Sequence, residues 1–225
     1  MNTPSPLDRF RQEYFGAYDH YLGWHDGYRA DASALDVLCA ADRATAETEL
    51  CDSLRTGLAD PRAILGLGYL RSRAALPLLH AYLSKAGIYA LEAIARIDPA
   101  ALDTDRVLAI MRNSKATETQ LFDLAIGLGH YFAPTQLDPR LITQLVALLA
   151  NRYFLVRNHA LNALRRLYSL FDPKEHRGQT ITRADVLSDT LFGLISPNSG
   201  PADFRRAQQL LQAQIATAVP PTRST

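Results

Sequence analysis

Ala63-Ile64-Leu65-Gly66-Leu67-Gly68-Tyr69-Leu70 is the stretch on which the fold turns. Gly66 is followed by Leu67, a further apolar residue stands at Leu70, and Ala63 lies three places upstream. The same frame returns as Ala90, Ala93-Ile94 and Ile97, as Leu124, Gly127-Leu128 and Tyr131, and as Ala160, Ala163-Leu164 and Leu167. Residues three and four apart are neighbours on a helix of 3.6 residues per turn, so each frame marks one apolar helix face, and its small residue lets a second helix approach. From Gly66 through Ala93 and Gly127 to Ala163 the spacings are 27, 34 and 36 residues. Helical repeats of roughly 20–50 residues predict stacked hairpins. The expected fold is all-α, a right-handed α-solenoid of about five antiparallel helix hairpins behind an N-terminal aromatic capping helix.

Upstream of the frames, Ser5-Pro6-x-Asp8 predicts a capped helix start. Leu7, Phe10, Tyr14, Tyr18 and Tyr21 form its apolar stripe, broken by Gly23 and Asp26-Gly27. Between Phe10 and Tyr28 lie seven of the chain's nineteen aromatic residues, including Trp24, its sole tryptophan. One use for such a cluster is to cover the open end of the stack. Another is recognition, because Tyr and Trp bury much area while ordering few torsions, and here acids and histidines stand beside them. Residues 32–59 read as helix with an interruption near Ala41-Asp42 and Asp42 as a second cap; Leu50, Leu54 and Leu58 form its inner stripe. Asp60-Pro61 turns the chain.

Ala63-x-x-Gly66-Leu67-Gly68-x-Leu70, the link Arg71-Ser72-Arg73 and Ala75-Leu76-Pro77-Leu78-Leu79 resemble the short HEAT-like repeats of bacterial proteins, the group that includes phycobilin-lyase-type repeats. Val156-Arg157-x-x-Ala160-x-x-Ala163-Leu164 resembles the second helix of an ordinary HEAT unit. The resemblance covers about residues 43–170, and it departs at Ala86-Gly87, where the family's valine and arginine would stand.

Further along, Asp103 or Thr104 caps a helix carrying Val107, Leu108 and Met111, and Asn113-Ser114-Lys115 makes the turn to a helix ending near Tyr131. Asp138-Pro139 opens a helix with Leu141, Leu145, Leu148 and Leu149, and Phe154 to Leu170 is its partner. A polar loop at 174–180 precedes a less regular pair, Arg183 to Ile195 and Asp203 to Ala216. The expected divisions are 1–31 as aromatic and acidic cap, 32–171 as repeat core, 172–217 as a closing helical pair and 218–225 as a disordered tail.

Chemistry is sparse in this pattern. No Gly-rich phosphate loop follows a strand, since Gly66 and Gly68 lie inside a helical frame. His20 and His25 are five apart and do not share a helix face as a metal pair would, and Cys39 and Cys51 lack Cys-x-x-Cys spacing and read as buried thiols. No catalytic set, metal site or cofactor is expected. His80, His130 and His159 fall in successive hairpins, and Arg157 and Arg165 extend a basic row from Arg96. Compact HEAT-like DNA glycosylases hold a duplex in such a groove, but a net charge of +1 and basic residues mixed with Glu92 and Asp123 argue against nucleic acid.

Residues 1–60 hold eleven acidic side chains against five arginines, while 61–225 hold nineteen basic against twelve acidic, a split that would orient a charged partner. The N-terminus lacks a basic-then-apolar pattern and no apolar run approaches about 18 residues, so the reading is a cytoplasmic protein without a membrane span. The expected activity is non-catalytic protein binding, with a generic adaptor or scaffold as the alternative. Chains of this type with an aromatic and acidic leader resemble immunity proteins that neutralise a toxin passed between competing bacteria. That resemblance implies anchors at Tyr18, Asp19, Trp24, Asp26 and Tyr28, and a groove patch of Tyr69, Glu92, Arg96, Asp123, His130 and Arg157.

Overall fold

The computed structural model describes residues 4–18, 31–170 and 189–218. Asp19, Trp24, Asp26 and Tyr28, the loop at 174–180, the expected helix start at Arg183 and the tail from Val219 lie outside the described residues. Within them all regular structure is helical, twelve α-helices and four 3₁₀ turns, with no strand. The chain divides into two compact units, Met1–Leu102 and Asp103–Thr225.

The first unit opens with α1, Pro6–Phe15. The Ser5 hydroxyl accepts from the Asp8 amide at 3.2 Å and the Asp8 carboxylate accepts from the Ser5 amide at 3.3 Å, so two amides left over at the helix start are satisfied reciprocally. The helix stops at Phe15, before the expected stripe reaches Tyr18. Phe10 and Tyr14 are buried, and α1 packs against α2 (Ser33–Asp36), α3 (Ala40–Arg55) and α4 (Pro61–Tyr69). The Tyr14 ring lies over Gly66, where an added Cβ would come within 2.6 Å of it, so this glycine makes room for the first helix.

Three expectations need correction in this region. The break between α2 and α3 falls at residues 37–39, earlier than Ala41-Asp42, and the cap is Cys39, whose sulfur accepts from the Asp42 amide at 3.5 Å. Cys39 is therefore exposed; only Cys51 is a buried thiol. Leu58 is 82% exposed, because α3 ends at Arg55 and Gly57, at φ 75°, turns the chain before the third leucine of the stripe.

After α4 come a 3₁₀ turn at Arg73–Ala75, α5 (Leu76–Tyr82), α6 (Gly87–Ile97) and a second turn at Pro99–Ala101. The helix α3 packs on α4, α5 on α6, α3 on α5, and most extensively α4 on α6. That last contact is backbone-close: a Cβ at Gly68 would sit 2.7 Å from the Ala93 Cα. A buried arginine ties α1 to this unit. Arg62 donates to the Glu13 and Gly16 carbonyls at 2.7 and 3.0 Å, pairs with Asp60 at 2.7 Å and lies 4.5 Å from the centre of the Tyr18 ring.

In the second unit, α7 (Thr104–Arg112) is capped by Asp103, α8 (Glu118–Tyr131) by a Thr117–Gln120 capping box, and α9 (Pro139–Ala147) by Asp138. Helix α10 (Phe154–Tyr168) follows a 3₁₀ turn at Leu148–Ala150, and the unit closes with α11 (Thr190–Leu194) and α12 (Pro201–Thr217). The helices pair as α7 with α8 and α9 with α10, then α7 with α9 and α8 with α10, while α12 lies against α9. Again the closest approach is glycine on alanine, a Cβ at Gly129 being 2.6 Å from the Ala163 Cα. Leu121, Leu124, Leu128, Leu141, Leu145, Ala160 and Leu164 fill the space between the helices.

Candidate functional site

Glycine-on-alanine contacts determine which polar side chains become neighbours. In the first unit Tyr69 follows Gly68, and Arg96 stands one turn beyond Ala93; in the second His130 follows Gly129, and Arg166 stands one turn beyond Ala163. Each unit thus carries, beside its tightest helix crossing, a ring from one helix and an arginine from the next.

Around Tyr69 lies a cleft of about 500 Å³ lined by Asp36, Arg43, Gly68, Tyr69, Leu70, Arg71 and Arg96. The Tyr69 hydroxyl donates to the Asp36 carboxylate at 2.5 Å. This bond, then desolvation and the carboxylate charge, raise the phenol above its ordinary value, while Arg43 and Arg96 pull it the other way. Arg96 pairs with Glu92 at 2.7 Å, one turn back on α6. Arg71 has φ 54°, the left-handed region that costs a side chain with a Cβ roughly 1 kcal/mol. It stands there because the chain ends α4 with the Arg71 amide bonded to the Gly68 carbonyl and the Ser72 amide to the Leu67 carbonyl.

In the second unit Asp123 and His130 are seven apart on α8 and so share one side of it. Asp123 is half-buried, and among the described residues it has no hydrogen-bond or ion-pair partner. Burial alone pushes its carboxyl up to about 6. His130 is lowered by desolvation first and then by the positive charge of Arg166 and by His159. Desolvation also lowers His159, whose ring centre is 5.3 Å from that of Phe122.

Tyr69, Glu92 and Arg96 are thus together in one unit, and Asp123 and His130 share a helix side in the other; Tyr18 lies apart, against Arg62. Arg157 is not a surface cation. It is 3% exposed and donates to the carbonyls of Asn151, Arg152, Ile195 and Ser196 at 2.7–3.1 Å, with Phe204 4.7 Å from its guanidinium. It brackets the α11 end onto α10, as Arg62 brackets α1. Arg165 is likewise engaged, with Asp189 at 2.6 Å. Sequence reasoning passed over Asp36, Arg43, Arg71 and Arg166. The signal for Arg166 was its repeat position, three beyond Ala163 as Arg96 is three beyond Ala93; Asp36, Arg43 and Arg71 come from segments whose convergence no spacing announces.

Among the described residues no group of three or more His, Cys, Asp or Glu side chains is arranged to hold a metal ion, and no helix is long and apolar enough to cross a membrane. Compared with protein-family models, curated proteins and solved structures, the chain has no significant match.

Proposed function

We propose that this chain is a non-catalytic, protein-binding α-solenoid of HEAT-like helix pairs. Each unit contributes a recognition face of its own, α4 and α6 bearing Tyr69 and Arg96 in the first, and α8, packed on α10, bearing both Asp123 and His130 in the second. The observation that carries this reading is Asp123. A carboxylate partly withdrawn from water without a partner costs stability, and such a group on a recognition face gains its counter-charge when a cationic side chain docks. The repeat-equivalent ring and arginine beside each glycine-on-alanine crossing support the same reading, because aromatic residues and arginine dominate binding energy at protein interfaces. In its most concrete form the partner is a toxin delivered between bacteria, whose active site the chain would cover. The test is to sequence the neighbouring genes and co-express this chain with any toxin-like gene found there; absence of a growth-inhibiting neighbour would overturn the toxin form of the reading. Wild type should restore growth and form a complex, and Asp123→Lys should lose both while keeping a cooperative unfolding transition. Turnover of a substrate by the purified chain would overturn the proposal.

A further inference from the structure

We infer that the cleft in the first unit is a carboxylate-binding pocket that receives an Asp or Glu side chain from an acidic segment of another protein. Three arginines, Arg43, Arg71 and Arg96, are among its lining residues against the single acid Asp36, and the charges of Arg43 and Arg96 reach the Tyr69 hydroxyl. Arg96 already shares its charge with Glu92. Among the described residues Arg43 and Arg71 are in no ion pair. Counting three cations against Asp36 and Glu92 leaves the cleft with one uncompensated positive charge, which one carboxylate neutralises. A phosphate dianion would overshoot, with Asp36 and Glu92 repelling the excess. The guanidinium fork matches a carboxylate edge to edge, and Tyr69, kept neutral with its hydroxyl committed to Asp36, presents its ring as a wall for the stem of the incoming side chain.

Arg71 makes the pocket costly to keep by accident. The left-handed residue that ends a helix is usually glycine, and here it is an arginine that lines the cleft. This position also supplies a clean variant. Arg71→Gly removes the cation while relieving the backbone, so a binding defect in it cannot come from failure to fold.

The inference rests on the protein-binding reading only for the source of the carboxylate, and the experiment separates the two. Titrations of the full chain, followed by the arginine Nε–Hε resonances and by calorimetry, would use a short extended peptide carrying one glutamate, the same peptide with glutamine, free glutarate and inorganic phosphate. The glutamate peptide should bind about tenfold more tightly than the glutamine peptide, with affinity falling as salt rises. Arg71→Gly and Arg43→Ala should each weaken it about three- to fivefold, as expected for ion pairs at a partly hydrated site. Equal binding of the two peptides, tighter binding of phosphate, or binding of glutarate alone would overturn the inference. None of these outcomes touches the Asp123 face, which stands or falls with the toxin co-expression.

Discussion

Replacing Asp123 with asparagine should stabilise this protein, by an amount that depends on pH. The carboxyl titrates near 6 in the folded chain against an ordinary value of 3.8, and burial is the only cause. A rise of about two in pKa, at about 1.4 kcal/mol for each, is worth about 3 kcal/mol, and solvent screening at this half-exposed position brings it to about 2–3 kcal/mol. Between pH 3.8 and 6 the folded state holds the proton more tightly than the unfolded chain. Stability therefore falls as pH rises through that window, and the full penalty stands above it. His130 and His159, both lowered on folding, act in the opposite sense, adding stability as pH rises through their own range. They are common to both proteins and drop out of the difference. Urea unfolding of wild type and Asp123→Asn at pH 4, 5, 6 and 7.5 measures it. The variant's advantage should be smallest at pH 4 and grow to about 2–3 kcal/mol at pH 7.5. An unpaired amide would add only a constant offset, so the slope is the test. A difference flat across this range, or a wild type that gains on the variant as pH rises, would refute the claim that Asp123 is an uncompensated, half-buried carboxylate.

Two further substitutions probe the framework. Gly129→Ala should cost about 1–2 kcal/mol at α8, since overpacking against the Ala163 backbone outweighs alanine's better helix propensity; unchanged or higher stability in urea would mean α8 and α10 are not in backbone contact. Arg157→Met should cost about 3 kcal/mol or more by leaving the Asn151, Arg152 and Ile195 carbonyls without their donor, the Ser196 carbonyl keeping the Ser199 amide, and should raise amide exchange through residues 190–217 first; a loss under about 1 kcal/mol would show that the bracket is not structural.

Stabilising Asp123→Asn and abolishing recognition with Asp123→Lys are linked outcomes. A group that weakens the fold but serves binding is the trade expected of a functional face, and the pair of variants separates the two effects.

What sequence determined by itself was local. Helical periodicity, the Ser5, Asp60, Asp103 and Asp138 caps and the prolines behind three of them placed most helix starts to within a residue or two, because capping and φ restriction act over four residues and need no tertiary partner. Where a local signal competed with a neighbour, reading failed: Cys39 took the cap expected of Asp42, and Gly57 turned the chain before Leu58 could join its stripe. The small residues announced close helix approach, but the pairings of Gly68 with Ala93 and Gly129 with Ala163 depend on how the helices cross. The roles of the charged residues were decided entirely in three dimensions. Arg157 and Arg96 are the same residue type on equivalent helices, yet one is walled in by carbonyls from α11's end and the other stays at a cleft. Nothing in the chain near Asp123 says that it will lack a partner among the described residues, since desolvation is a property of everything packed around a group and not of the residues beside it in sequence.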